Sequence, residues 1–93
     1  YKYLLDPEKI ERKSSVVSIE MSRGAVVLSV QEQRGVVHLW AKVDPEEKRR
    51  VKRRFLVIGT GQPFDVATPD TMLYRGTFQV REEALVFHVF EVP

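Results

Sequence analysis

Fifteen valines against four alanines constrain this chain more than any other feature. A branched Cβ fits a pleated surface and loses side-chain freedom in a helix, so the sequence is committed to strands. The pattern is sharpest from Ala25 to Val43, which reads as a hairpin turning at Arg34-Gly35, where glycine supplies the positive φ of a tight primed turn. Pairing Gln33 with Val36 sets Val30 opposite Leu39, Leu28 opposite Ala41 and Val26 opposite Val43. One face is then apolar in both strands at period two. The other face carries Ser29 and Gln31 beside His38 and Trp40.

Further strands are expected at Tyr1–Leu5, Val16–Met21, Arg53–Gly59, Tyr74–Val80 and Ala84–Glu91. Breaks are expected at Asp6-Pro7, Arg23-Gly24, Gly59 to Pro63 and Thr68 to Asp70. Asp44-Pro45-Glu46-Glu47 has the form of a helix start with a capping box and predicts a single helical turn or two. The expected fold is mainly β: a small antiparallel β-barrel or sandwich of about seven strands, with at most one short helix, in one domain over residues 1–93. The runs Phe55 to Ile58 and Leu85 to Phe90 are apolar on both faces, so both sides want cover. A second copy would supply it, and the chain is expected to be a homo-oligomer. The segment Tyr1 to Ile10 reads either as a strand of the barrel or as an arm exchanged between copies.

Without cysteine, neither disulfides nor thiolate metal sites can brace the domain. No apolar stretch approaches the roughly 18 residues of a membrane span, which makes a cytoplasmic location the default expectation and a membrane partner an unexpected one. Asparagine is also missing and methionine occurs only at Met21 and Met72, a shortage of labile side chains that fits a thermophilic source.

The net charge of +2 conceals a local concentration. Lys48, Arg49, Arg50, Lys52, Arg53 and Arg54 hold six of the fifteen basic residues, and the other nine face thirteen acidic ones. A run of this kind either tracks a nucleic-acid backbone, releasing counterions as it neutralises phosphates, grips an acidic partner, or is a solvated surface with local ion pairs. It contains no aromatic before Phe55, which is expected to point inward, and that argues against base stacking. Gly59-Thr60-Gly61 closes a strand and can turn successive amides toward an anion, or merely permit a sharp corner. Thr60 and Thr77 recur in similar Gly-Thr contexts at two strand ends. His38 and His88 lack the neighbouring ligands of a zinc site. Gln31, His38 and Trp40 form a polar-aromatic patch able to hydrogen-bond a ligand while the indole stacks on it; the ordinary alternative is a half-buried histidine with one satisfied nitrogen. Ser29 lies near His38, but no carboxylate shares that face and there is no nucleophile elbow, so no hydrolytic site is expected.

Seven short motifs occur in an order that resembles a family of small uncharacterised proteins frequent in phage and prophage genomes. They are Met21 to Ala25, Leu28 to Gln33, Leu39 to Asp44, Arg54-Phe55, Gly59 to Pro63, Tyr74 to Phe78 and Val86 to Glu91. The resemblance implies an accessory protein of a phage or mobile element, acting in the host cytoplasm, and carries no activity over. The chain departs from the pattern in its long basic run and in Gln62, where a histidine is expected.

The function expected from these features is non-catalytic binding of an anionic ligand such as a nucleotide or nucleic acid, without a cofactor; capture of a host nucleotide signal is one form. Gln31, His38, Trp40, Gly59, Thr60 and Gly61 would form the ligand site, and the Lys48 to Arg54 run the anion patch. The alternative is a protein-interaction or virion-structural module that docks a host or phage protein.

Overall fold

A computed structural model describes residues 1–5, 15–59, 72–80 and 85–92. Seven strands follow one another: β1 (Lys2–Leu5), β2 (Ser15–Ser22), β3 (Val26–Gln33), β4 (Val36–Lys42), β5 (Arg50–Gly59), β6 (Leu73–Val80) and β7 (Leu85–Val92). All strand pairs are antiparallel, in a three-stranded sheet of order β1-β4-β3 and a four-stranded sheet of order β2-β5-β7-β6. The sheets do not close into a barrel, so of the two architectures expected the sandwich is the one formed. No helix occurs among the described residues.

The core follows from period-two alternation. Tyr3 and Leu5 on β1, Val17, Ile19 and Met21 on β2, Val37, Leu39 and Ala41 on β4, and Phe55 and Val57 on β5 all turn inward. Phe78 and Phe87 stack within the four-stranded sheet at 5.3 Å between ring centroids. Leu56 and Ile58 occupy the other face of β5 and are nonetheless buried. β1 pairs with β4, Tyr3 opposite Leu39. The buried Tyr3 hydroxyl accepts a hydrogen bond from the Ser22 amide at 3.0 Å and so ties β1 to the end of β2.

Three expectations need correction. The hairpin turns at Arg34 (φ 55°) and Gly35 (φ 81°) as expected, and Val30 opposes Leu39, but the register slips between Val27 and Ser29. Ala41 therefore pairs with Val27, and Val26 with Lys42. The bulge turns Val27 inward and leaves Leu28 64% exposed, the reverse of uninterrupted alternation. Second, Asp44 to Glu47 makes one turn and no helix. The Asp44 carboxylate accepts from the Glu46 amide at 2.9 Å and the Asp44 carbonyl from the Glu47 amide at 3.0 Å, but the Glu47 side chain bonds Arg49 and does not return to close the capping box. Third, β5 begins at Arg50, three residues earlier than expected, because β2 pairs with it along its whole length from Ser15–Val57 to Ser22–Arg50. Most of the basic run is thus strand. The breaks at Asp6-Pro7, Thr60 to Pro63 and Thr68 to Asp70 lie outside the described residues.

Candidate functional site

Because β5 alternates, its basic residues divide between two faces. Phe55 and Val57 are inward, and parity sends Arg53 inward with them. Its guanidinium makes a bidentate pair with Glu91, Nε to Oε2 at 2.6 Å and Nη2 to Oε1 at 2.7 Å, while Nη1 donates to the Ala25 carbonyl. Arg75 adds Nε and Nη2 contacts to Glu91 Oε1 at 3.0 and 2.8 Å. These guanidinium groups hold the Glu91 carboxyl below its ordinary range, Arg53 contributing most, against a burial effect of opposite sign. Arg53 is thereby a structural tie between the sheets rather than a member of the anion patch.

Arg50, Lys52 and Arg54 share the outer face of the four-stranded sheet and are exposed. Residues two apart on a strand are about 7 Å apart, so the three form a row with that spacing. They stand opposite Ser22, Glu20 and Ser18 of β2. Lys48 and Arg49 lie in the loop before β5, where Arg49 Nη2 pairs with Glu47 Oε1 at 3.1 Å and keeps the Glu47 carboxyl low.

Register brings aromatic side chains to this row that the local sequence does not contain. Val16 opposes Leu56, Leu56 opposes Phe90, and Phe90 opposes Tyr74, which makes one rung across all four strands of the same face. Tyr74 is 58% exposed and meets Phe90 edge-on at 5.6 Å between centroids. Arg54 occupies the next rung on one side. On the other side Ile58 opposes His88 and His88 opposes Thr77. Thr77 Oγ1 lies 3.0 Å from His88 Nδ1 and also shares a short hydrogen bond with the Tyr74 hydroxyl. The basic run read as an isolated segment does not show Phe90 and Tyr74, which reach its face only through the β5–β7 and β7–β6 registers.

The patch of Gln31, His38 and Trp40 forms on the other sheet. Gln31 opposes His38 and Leu4 flanks it, while Ser29 opposes Trp40 and Lys2 flanks that. The Lys2 ammonium lies 5.6 Å from the indole centroid. Burial and, secondarily, the Lys2 charge lower the His38 pKa below 6.5. An open depression lined by Gln33, Arg34, Val36 and His38 adjoins this patch. Sandwiched sheets turn their outer faces away from each other, so the Trp40 patch and the Arg50–Arg54 row do not form one site. Gly59 ends β5 opposite Phe87; Thr60 and Gly61 lie outside the described residues. Among the described residues no three His, Asp or Glu side chains gather as metal ligands, and no helix is long and apolar enough to cross a membrane.

A two-sheet antiparallel sandwich, with a row of cations beside an aromatic rung on one outer face, is the class of protein these observations define. A family profile described as a domain of unknown function (DUF7352) matches residues 1–93, and the chain belongs to that family. No curated protein and no solved structure shows significant similarity to it.

Proposed function

We propose that this chain is a non-catalytic module that binds single-stranded nucleic acid on the outer face of its four-stranded sheet. The observation that carries the reading is the row of Arg50, Lys52 and Arg54, whose last member, Arg54, occupies the rung next to Leu56–Phe90–Tyr74. Single-strand binders combine a cationic track for the phosphates with aromatic faces on which bases stack. A strand laid along β5 places phosphates on the three cations and one base on Tyr74 and Phe90. The patch around Gln31, His38 and Trp40 takes no part in this contact. The motif resemblance supplies the setting, an accessory role for a phage or mobile element.

Fluorescence anisotropy with a labelled single-stranded oligonucleotide tests the reading. Tyr74→Ala removes an exposed stacking face and lowers affinity roughly ten-fold, with an unchanged circular dichroism spectrum. Full affinity in that variant contradicts the reading.

A second reading, a docking module for a protein or for another copy of the chain, draws on Leu4, Val26 and Leu28, each more than half exposed on the three-stranded side. Sedimentation of the chain alone tests self-association: a monomer at all concentrations removes the second copy as the occupant.

A further inference from the structure

We infer that Thr77, held between Tyr74 and His88, reads the edge of the base that stacks on the aromatic rung, and that it selects a base offering an amino donor. The inference rests on the nucleic-acid reading above and deepens it. The rungs of the outer face run in a fixed order: Arg54, then Leu56–Phe90–Tyr74, then Ile58–His88–Thr77. With its phosphate on the Arg54 side, a base lying on Phe90 and Tyr74 turns its far edge to Thr77 and His88.

The chemistry of that edge follows from proton counting. A threonine hydroxyl has one proton and two lone pairs. Thr77 Oγ1 already engages the Tyr74 hydroxyl and His88 Nδ1. In a chain running head to tail, in either direction, it gives its proton to one neighbour and accepts from the other. One lone pair remains, on an exposed side chain. In that head-to-tail chain the group left for a ligand is an acceptor, which the N4 amino group of cytosine satisfies at the position where thymine carries its O4 carbonyl; with both neighbours donating to Thr77 its own proton would be left instead and the preference would reverse. Cooperative polarisation along the chain strengthens that acceptor.

The test compares oligodeoxycytidine with oligothymidine of about twelve nucleotides, a length within the range of small β-domain sites. Both are pyrimidines, which limits the difference in stacking. One neutral hydrogen bond made to one and not the other predicts a preference for the cytidine strand of roughly three- to ten-fold. Thr77→Val keeps the shape and removes the hydroxyl, and is expected to bring the two affinities together; Thr77→Ser restores the preference. Equal affinity of the unaltered protein for the two strands, or a preference that survives in Thr77→Val, overturns the inference while leaving nucleic-acid binding intact. Failure to bind either strand overturns the underlying reading itself.

Discussion

Arg53 and Glu91 close a bidentate ion pair between β5 and β7 on the inner side of the four-stranded sheet, with both side chains about 15% exposed. Arg75 shares the carboxylate, and the Arg53 guanidinium also reaches the Ala25 carbonyl on the segment entering β3. One carboxylate thus organises two cations and a backbone acceptor where the two sheets meet. Its worth lies less in the pair itself than in what its loss would leave behind.

Replacing Glu91 by Gln leaves two guanidinium groups in a partly dry seam. The expected cost is about 3 kcal/mol, the lower end for breaking a buried pair because some solvent still reaches it. Urea denaturation measures it. A loss below a few tenths of a kcal/mol would show the tie to be dispensable.

The same carboxylate sets an acid limb. Its folded pKa lies below the ordinary 4.5, so the folded state holds it charged more strongly than the unfolded chain does. Its contribution is complete above about pH 4.5 and is lost as pH falls through the depressed folded value. Stability measured down that range should fall more steeply in the natural protein than in Glu91→Gln. Parallel curves would remove Glu91 from the acid response.

Gly76 stands where β6 meets β3. A Cβ there would lie 2.7 Å from Val30 Cγ2, 2.8 Å from Val30 Cβ and 3.2 Å from the Val30 backbone nitrogen. Gly76→Ala is expected to cost about 1–3 kcal/mol through overpacking. Adding Val30→Ala relieves only the clash with Cγ2, so the double variant should not recover full stability. Thermal melts of the three variants check this.

His38 is lowered by burial first and by Lys2 second. A histidine whose folded pKa is depressed favours the folded state at higher pH, and that advantage declines as pH falls below 6.5 toward the folded value. An imidazole NMR titration is expected to give a midpoint below 6.5 that rises partway in Lys2→Met. A midpoint at or above 6.5 would contradict the packing of Leu4, Gln31 and Lys2 around the ring.

Alternation makes much of this fold legible in the sequence. The strands follow from period-two patterns and, in β5 and β7, from short runs apolar on both faces; the Arg34-Gly35 turn and the pairing of Gln31 with His38 follow from one glycine and the alternation around it. The bulge at Leu28 did not, because Val26, Val27 and Leu28 are all apolar and either parity satisfies the pattern. Arg53 could have been separated from its neighbours by counting back from Phe55, but a run of six cations obscures which of them alternate inward. The candidate site was half legible. Its cations are contiguous in the sequence, whereas Tyr74 and Phe90 join them only through the β5–β7 and β7–β6 registers, which no local pattern sets.

The salt dependence of single-strand binding tests directly whether the β5 cations neutralise phosphates. Log K is expected to fall linearly with log salt, and replacing Arg50, Lys52 and Arg54 together by Gln is expected to lower the slope by about 2, at roughly 0.7 for each phosphate no longer neutralised. A slope unchanged by the triple replacement would contradict this expectation, as would binding insensitive to salt.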